Sequence, residues 1–458
     1  MTVIPRRVIL TRAMSDDATT PSPQDTQGAT KHATHDDALA VVKRLRDAGH
    51  VAYFAGGCVR DMLLGLTPTD YDVATDATPD RVRQLFSNTQ AVGAAFGVIL
   101  VRHRKSQIEV ATFRSDGNYT DGRRPDKVVF TTAAEDAKRR DFTINGMFYD
   151  PVEEKVIDYV GGQEDLKNKV LRAIGNPEAR FREDWLRMLR AVRFAARFDL
   201  HIDDATATPI KTNYTLISGV SPERTAEELR AMLTPLTRNR AWALLRRFHL
   251  LQTIFRVHHR HEPGPGHGAS GIFAEVAPGQ TIPFGLALAA ASLAYLWPRA
   301  GGGDVRDLCV RASVNRISQA LRRSLKISNE ETDILEGTLS GVGLMLQDQL
   351  PTTAMLKRFL ARPMASSSRE LLNALARVAF HRHRIEPLIA VLAELEQTNF
   401  APAPLITGDD LTAAGLSPGP VFRRVLDAVY DAQLEDRVKT KDAAMELAMS
   451  LSRAHPSG

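Results

Sequence analysis

Residues 54–76 of this 458-residue chain, FAGGCVRDMLLGLTPTDYDVATD, constrain its fold more than any other segment. Residues 53–55 predict a short buried strand, and residues 59–64 predict the first turns of a helix. Gly56 and Gly57 lie between them, permit positive φ and leave backbone N–H groups unshielded. A helix that begins after such a turn can hold phosphate oxygens, so the segment indicates a phosphate site.

Two carboxylates follow this turn in the same segment. Asp70 and Asp72 flank Tyr71, and on a strand residues i and i+2 share a face, so both are predicted to point the same way. Two like charges this close repel unless a cation lies between them. Hard oxygen ligands suit Mg²⁺, which binds through one or two carboxylates plus phosphates, so the pair is a candidate metal site.

A third carboxylate is expected for metal-assisted phosphoryl transfer. Glu109, in the run QIEVATFR, is the candidate because its side chain alternates with Ile108 and Val110 on a predicted strand. It could face the same cavity as Asp70 and Asp72, and the three acids are the candidate catalytic residues. The alternative is a surface acid on a half-exposed strand.

Composition bounds the class of protein. The net charge of +5 fits a nucleic-acid partner without proving one, because a basic face is often only solvated. No apolar stretch approaches the ~20 residues that a membrane span needs, so we expect a soluble protein without a membrane partner. Cys58 and Cys309, the two cysteines, are too few for a disulfide framework and agree with a reducing cytoplasm. The histidine-rich stretch 258–267 predicts a solvated loop rather than a metal site.

The chain divides into a mixed α/β head and a long helical remainder. Residues 1–34 lack periodicity and predict disorder. Residues 36–48 predict a helix that ends at a glycine, and helical patterns dominate after about residue 160. Three later runs predict strands of one sheet: 97–103, 107–113 and 127–131.

Residues 183–197 predict an amphipathic helix with an arginine face. At about 100° per residue, one side carries Asp184, Arg187, Arg190, Arg193 and Arg197. The other side carries Trp185, Met188, Leu189, Val192 and Ala195. Taken alone, such a pattern is typical of a surface helix.

Several ordered motifs then point to one family. The motifs are GG-x-VRD-x-LLG, D-x-D, EVATFR, RRDFTING and EDWLRMLRAVRFAARF. Together they resemble the bacterial and eukaryotic (class II) tRNA nucleotidyltransferases, the CCA-adding enzymes; bacterial poly(A) polymerase belongs to the same polymerase β-like superfamily. The match covers residues ~50 to ~235, and several motifs in order are far more specific than any one alone.

The resemblance implies an α+β fold, with a polymerase β-like nucleotidyltransferase head and a small mixed sheet, followed by all-α neck, body and tail domains. The expected limits are a head at 35–160, a neck with a base-reading helix at 161–235, and an RNA-binding body and tail at 236–458. The residues of the body and tail that contact RNA stay open. The oligomeric state also stays open.

The resemblance also implies roles for individual residues. Gly57 and Arg60 would hold the triphosphate, and Asp70 and Asp72 would bind Mg²⁺. The remaining nucleotide-binding residues would be Arg140, Asp141, Asp184, Arg187, Arg190 and Arg193.

Residue chemistry agrees with these roles. An arginine offers a fork of donors for phosphate, and Asp141 can accept a hydrogen bond from a ribose hydroxyl. Asp141 could instead cap a helix, and both roles stay open. In the family the Asp and Arg of EDxxR, here Asp184 and Arg187, read the base. Cytosine and adenine each present an amino donor beside a ring-nitrogen acceptor, so an acceptor and a donor from the protein serve both and disfavour guanine and uracil.

The implied function is template-independent addition of CCA to the 3′ end of tRNA from CTP and ATP, by two-metal nucleotidyl transfer with release of pyrophosphate. Bacterial poly(A) polymerase is an alternative, although residues 92–103 lack the basic run associated with that enzyme. An enzyme that adds only the terminal A is a second alternative, and an RNA-binding protein without catalysis is a third. Residues 115–128 resemble the flexible loop that helps the family change from CTP to ATP; a plain surface loop is the alternative.

Overall fold

The computed structural model describes residues 33–93, 97–116, 128–256, 269–297, 304–378, 380–416 and 419–454. The chain divides into two compact units, with the boundary between Val220 and Ser221. The histidine-rich loop predicted at 258–267 lies outside the described residues. So do residues 1–32 of the disordered segment predicted at 1–34 and residues 117–127 of the loop predicted at 115–128, whereas the ends of that loop belong to β6 and β7. The predicted limits of head, neck and body stay predictions.

The first unit contains the strands and a set of mostly short helices. Its strands are β1 (Ala52–Ala55), β2 (Asp72–Thr75), β3 (Thr89–Gly93), β4 (Val98–His103), β5 (Ser106–Thr112), β6 (Arg114–Asp116), β7 (Val128–Phe130), β8 (Phe148–Asp150), β9 (Lys155–Ile157), β10 (Val170–Leu171) and β11 (His201–Ile202). Its helices are α1 (His35–Asp47), α2 (Gly57–Leu63), α3 (Pro79–Leu85), α4 (Ala133–Lys138), α5 (Gly162–Lys167), α6 (Pro177–Glu183), α7 (Leu186–Arg197) and α8 (Asp204–Asn213).

Among the described residues, a seven-stranded mixed sheet has the order β3-β4-β5-β2-β1-β8-β9. Strand β2 runs parallel to β5, and the other neighbouring strands are antiparallel. The strands predicted at 53–55, 97–103 and 107–113 are confirmed as β1, β4 and β5. The mixed sheet with its helical continuation confirms the predicted α+β class.

The strand predicted at 127–131 forms as β7, but its assignment to the main sheet was wrong. It pairs with β6 in a separate two-stranded ribbon. Strand β6 begins just after β5 ends, and the N–H of Thr131 donates to the carbonyl of Phe113 at 2.9 Å. The ribbon therefore branches from the end of β5, a pairing that periodicity alone does not specify.

Both faces of the sheet are covered by helices. Helix α1 begins after Thr34, whose hydroxyl accepts a hydrogen bond from the N–H of Asp37. Its buried face contains Ala38, Val41, Val42 and Leu45. On another side, a cluster of buried residues joins the sheet to α4: Ala55, Ala74, Phe113, Phe148, Ala133 and Ala137. Alternate side chains of a strand point to opposite faces, which lets one short strand serve both layers.

The helix predicted at 183–197 is divided. Helix α6 ends at Glu183, and α7 begins at Leu186. Asp184 is extended, with φ −158° and ψ 104°, so its placement on the arginine face of one continuous helix was wrong. The N–H of Leu186 donates to the Asp184 carboxylate at 3.1 Å, a local hydrogen bond that replaces a helical one. The predicted apolar side is confirmed for Met188, Leu189, Val192 and Ala195, which are buried.

In its described residues the second unit contains helices and no strands. Its helices are α9 (Pro222–Met232), α10 (Arg238–Arg247), α11 (Leu250–Phe255), α12 (Ala269–Glu275), α13 (Phe284–Leu296), α14 (Val305–Cys309), α15 (Arg311–Leu325), α16 (Asn329–Met345), α17 (Thr353–Leu360), α18 (Ala365–Arg377), α19 (Arg382–Glu396), α20 (Gly408–Ala413), α21 (Pro420–Leu434) and α22 (Lys441–Ala454). Helix α13 is buried from Gly285 to Leu296, as expected of a helix that is apolar on every side. None of the helices in the described residues has the length and apolarity to cross a membrane.

Both cysteines are buried as free thiols. The Sγ of Cys58 donates to the carbonyl of Ala55 at 3.3 Å, beside the glycine turn. Burial, and then the negative charge of Asp72, raise the pKa of Cys58 to about 12. Burial likewise raises the pKa of Cys309, in the second unit, to about 12. Cys58 is therefore a packed, protonated thiol.

Candidate active site

Parallel pairing of β2 and β5 brings two acids together. Asp72 is the first residue of β2, and Val73 pairs with Val110 of β5. Glu109, which precedes Val110, therefore lies beside Asp72 on the neighbouring strand. Although part of Asp72 is open to solvent, the surrounding protein and then the charge of Glu109 raise its pKa to about 6.

Asp70 lies just before β2, so the prediction that both aspartates share one strand was wrong. The strand begins only where the backbone pairs with β1, and Asp72 is its first paired residue. Asp70 is still close enough for its charge to raise the pKa of Asp72 further, while Arg140 lowers it. The structure thus brings the three predicted acids into one electrostatic group.

The donor set of this group fits a hard cation. Carboxylate oxygens are the ligands that Mg²⁺ takes, and burial beside like charges explains the raised pKa of Asp72. Across the described ranges, no three His, Cys, Asp or Glu side chains are close enough to hold a metal by themselves. Mg²⁺ can use one or two carboxylates and complete its shell with phosphate and water. Asp70 and Asp72 stay the predicted ligands.

The glycine turn lies between β1 and α2. Gly56 has φ +73°, which favours glycine, whereas Gly57 is the first residue of the helix. A Cβ at Gly56 would lie 3.0 Å from Nη1 of Arg140. Gly56 is therefore required both by the backbone and by the approach of an arginine, while Gly57 exposes the start of α2.

Arg60 is a buried guanidinium in the wall of the site, 4% exposed. Its Nε and Nη2 donate to the carboxylate of Asp61 at 2.9 and 2.6 Å, and its Nη1 donates to Oδ1 of Asn145 at 2.5 Å. The ring centroid of Phe198 is 4.3 Å from the guanidinium carbon. These contacts fix a positive charge in the wall, where the sequence predicts the triphosphate.

Two consecutive arginines after α4 share one acid. Nε of Arg139 and Nε of Arg140 donate to the carboxylate of Asp136 at 2.9 and 3.1 Å. Nη1 of Arg140 also donates to the carbonyl of Asn145 at 3.3 Å. The sequence predicted Arg140 as a nucleotide-binding residue, and the structure adds Arg139 to the same site.

Asp141 is buried and paired with the predicted helix. Its Oδ2 accepts from Nε and Nη2 of Arg190 at 2.9 and 2.7 Å. Its Oδ1 accepts from the N–H of Phe142 and from Nδ2 of Asn145. Burial raises its pKa, but the charge of Arg190 and the hydrogen bonds outweigh burial and lower the pKa to about 2.

Asp141 does not cap the turn that follows it, which was the alternative prediction. The short 3₁₀ turn Thr143–Asn145 has Phe142 as its N-cap, and no side chain caps it. Asp141 instead aligns Arg190, so any nucleotide contact of this carboxylate would be made from an ion pair. Its role toward ribose stays a prediction.

Asp184 and Arg187, the predicted base-reading pair, lie on either side of the start of α7. Nη1 of Arg187 donates to the carbonyl of Arg180 at 2.7 Å and to the carboxylate of Glu183 at 2.5 Å. Only 12% of the Arg187 side chain is exposed. These contacts hold its guanidinium in place beside Asp184.

Phe194 is surrounded by two arginines of α7 and one of α2. The guanidinium carbons of Arg190, Arg193 and Arg60 are 5.2, 4.6 and 5.3 Å from its ring centroid. Aromatic faces attract cations at such distances. The ring therefore spaces several like charges along one wall.

These groups line one cavity of about 520 Å³ in the first unit. The lining residues are Gly56, Gly57, Arg60, Asp72, Arg139, Arg140, Asp141, Asn145, Asp184, Arg187, Arg190, Arg193, Phe194 and Arg197. The lining is thus rich in arginine and suited to a polyanion with a planar group. Of the predicted site residues, Asp70 and Glu109 do not line this cavity. Their negative charges raise the pKa of Asp72, which does line it.

Sequence reasoning missed Arg139, Asn145 and Phe194. Arg139 and Asn145 belong to the motif RRDFTIN, so their proximity to Asp141 was a usable signal. Phe194 belongs to neither the predicted arginine side nor the predicted apolar side of the helix.

Comparisons with known proteins agree with this site. The family profile described as "Poly A polymerase head domain" matches residues 52–172, and one described as "Probable RNA and SrmB- binding site of polymerase A" matches residues 199–261. Poly(A) polymerase I of Salmonella typhimurium is 43% identical over 244 residues, which are 51% of this chain and 52% of that protein. The CCA-adding enzyme of Bacillus subtilis is 42% identical over 226 residues, 49% of this chain and 57% of that protein. The chain spans about half the length of the curated relatives it matches.

A solved structure extends the likeness along the chain. The Bacillus stearothermophilus CCA-adding enzyme in complex with CTP has a TM-score of 0.67 and 27% identity, and the match covers 92% of this chain and 99% of that one. The motifs, the cavity and these matches agree. Residues 52–172 thus match the poly(A) polymerase head domain, and the chain has homologues among both the CCA-adding enzymes and the poly(A) polymerases.

Proposed function

We propose that the protein adds CCA to the 3′ end of tRNA from CTP and ATP, with release of pyrophosphate. The observation that carries the proposal is that one cavity joins Asp72, the turn at Gly56 and Gly57, and the pair Asp184 and Arg187. An acid for the reacting end, a phosphate-binding turn and a base-reading pair are the parts that template-independent nucleotide addition needs.

Selection of C and A follows from the polarity of the pair. Asp184 accepts from the exocyclic amino group of cytosine or adenine, and Arg187 donates to the adjacent ring nitrogen. Guanine and uracil present the opposite pattern, and each buried group left unpaired costs about 1–3 kcal/mol. Glu183 restrains Arg187, which supports a fixed reading geometry.

The other residues bind and orient the reactants. Arg60, Arg140 and Arg190 supply positive charge for the triphosphate, and Asp70 and Asp72 would hold Mg²⁺ with Glu109 as the third acid. Bound there in the two-metal scheme, Mg²⁺ would supply positive charge for the triphosphate and the attacking hydroxyl. The 3′ oxygen of the RNA forms a bond to the α-phosphorus as the bond to pyrophosphate breaks.

The second unit offers a surface for the RNA backbone. Helix α15 contains no acidic residue, and its exposed side carries Arg311, Arg316, Arg322 and Arg323, followed by exposed Lys326. Such a row of cations attracts phosphates without reading sequence. We assign this face, called the α15 basic face below, to tRNA.

Bacterial poly(A) polymerase is the second candidate. It is supported by the 43% identity to poly(A) polymerase I, which is as high as the identity to the CCA-adding enzyme. Both activities share the head and differ in the RNA and in the number of nucleotides added.

One experiment separates the candidates. Purified protein is incubated with Mg²⁺ and either tRNA that lacks CCA or tRNA that ends in CC, with each nucleoside triphosphate alone and with CTP and ATP together. We expect two C residues and then one A. A long A tail would indicate poly(A) polymerase. Addition of one A only to the tRNA that ends in CC would indicate the A-adding enzyme. Binding without extension would indicate an RNA-binding protein.

Asp70 and Asp72 provide a second test of the proposed function. The double variant Asp70→Asn, Asp72→Asn should lose incorporation while still binding tRNA. Incorporation at the wild-type rate would show that these acids do not hold the metal.

A further inference from the structure

Asp136, on α4, is a buried acid to which the site described above assigns no function. It is 1% exposed, although aspartate is almost never fully buried unless it is paired. It lies on the side of the helix that faces the end of the main sheet, where α4 packs against the first ribbon strand, β6. A charge in such a position requires partners.

Its partners are the two arginines that line the cavity. One carboxylate oxygen accepts from Nε of Arg139 at 2.9 Å and lies 2.8 Å from its Nη2. The other accepts from Nε of Arg140 at 3.1 Å and lies 3.1 Å from its Nη2. The same acid also accepts from the backbone N–H of Arg114 at 3.2 Å. Each oxygen of Asp136 therefore holds one guanidinium group.

The charge on Asp136 is maintained by these contacts. Burial raises its pKa, but the positive charges of Arg140 and Arg139 and the hydrogen bonds outweigh burial, and the pKa lies below its ordinary value. The group is thus ionised near neutral pH. Without it, two adjacent guanidinium groups would repel each other and would explore many rotamers.

We propose that Asp136 is a positioning residue of the nucleotide site, which holds Arg139 and Arg140 side by side at the cavity wall so that both meet the anionic nucleotide. The inference rests on the proposed function. Asp136 itself stays behind the arginines, so it acts through them and does not touch the substrate.

The variant Asp136→Asn separates this role from a structural one. Asparagine keeps the size of the side chain and an oxygen that accepts the N–H of Arg114, but it removes the charge shared by the arginines. We expect the KM for CTP and for ATP to rise about tenfold with kcat changed less than about twofold, because the arginines bind substrate and transition state alike. Equilibrium binding of CTP without RNA should weaken by a similar factor.

The neighbouring acid on α4 gives the matched control. Glu135 is exposed, and its carboxylate accepts from Lys138 at 2.8 Å outside the cavity. Glu135→Gln removes the same charge from the same helix and should leave both KM values unchanged. An equal rise of KM in both variants would overturn the proposal, because it would report only the net charge of α4.

A second variant keeps the proposal testable if Asp136→Asn does not fold. Asp136→Glu keeps the charge but moves it by one methylene group, and we expect a KM for CTP raised about threefold, between the wild type and Asp136→Asn. A folded Asp136→Glu or Asp136→Asn protein with wild-type KM and wild-type CTP affinity would overturn the proposal. If the wild type binds CTP but does not extend tRNA, the proposed function is wrong. The equilibrium CTP-binding measurement on the variants would still test the role of Asp136.

Discussion

At the scale of single residues, glycine decides how closely an arginine approaches the backbone. Gly56 has φ +73°, and a Cβ there would lie 3.0 Å from Nη1 of Arg140. Gly49 has φ +86° and no heavy atom within 4 Å of its Cβ position. The two residues share a left-handed backbone and differ in what surrounds them, so they form a natural comparison.

We predict that Gly56→Ala lowers the free energy of unfolding by about 1–3 kcal/mol, the range for strained backbone. It should also raise the KM for CTP and ATP, because the new methyl group displaces Arg140. Gly49→Ala has the same backbone strain without an arginine to displace, so its KM should stay at the wild-type value. Urea unfolding and steady-state kinetics on both variants test this; a wild-type KM in Gly56→Ala would contradict it.

At the scale of elements, Asn145 joins parts of the chain that are far apart in sequence. Its Oδ1 accepts from Arg60 of α2 at 2.5 Å, and its Nδ2 donates to Asp141 at 3.1 Å. Asp141 in turn accepts from Arg190 of α7. One amide, with one acceptor and one donor, therefore connects the helix after the glycine turn to the arginine helix.

We predict that Asn145→Leu lowers the free energy of unfolding by about 1–3 kcal/mol, because it leaves the buried Nη1 of Arg60 without its acceptor and removes one of the donors to Asp141. Asn168→Leu is the control, because the Asn168 amide donates to the exposed Glu164 carboxylate at the surface. Its effect should stay within about 0.5 kcal/mol. Chemical denaturation of both variants provides the measurement, and equal stabilities of the two variants would disprove the connecting role.

Local patterns predicted much of the head. Helix α1, strands β1, β4 and β5, and the grouping of Asp72 with Glu109 follow from periodicity and from motif order. The break at Asp184 was not visible, because the spacing of arginines continues through residues that are not helical.

The contacts that complete the site depend on distant partners. Arg60 and Asn145 are 85 residues apart, and the pairing of the β6–β7 ribbon depends on where β5 ends. Periodicity reports which face a side chain takes and does not report which distant group it meets. The pairing of Asp136 with Arg139 and Arg140 is different, because it is local (i,i+3 and i,i+4) and helical spacing was a usable signal for it.

At the scale of the whole molecule, the chemistry and the RNA contacts are assigned to different units. The nucleotide cavity belongs to the first unit, and the α15 basic face belongs to the second. Binding through phosphates releases counterions and therefore weakens with salt in proportion to the number of phosphates bound. The two functions can thus be tested separately.

We predict that Arg316→Gln with Arg323→Gln weakens tRNA binding and reduces the slope of log K against log salt concentration by about 0.7–0.9 for each phosphate that the variant no longer neutralises. The KM for CTP should not change. Arg423→Gln with Arg424→Gln, which removes two exposed cations from α21 of the same unit, is the control. Fluorescence anisotropy of labelled tRNA over a salt series gives the slopes; identical slopes in both pairs would exclude a special role for α15.

The two buried thiols have a practical consequence. Cys58 belongs to the first unit and Cys309 to the second, and burial holds both in the unreactive protonated form, because alkylating reagents attack the thiolate. Iodoacetamide modification therefore has to wait until the surrounding unit opens. Peptide mapping of the two modified sites over time would time the opening of each unit independently, without any engineered label.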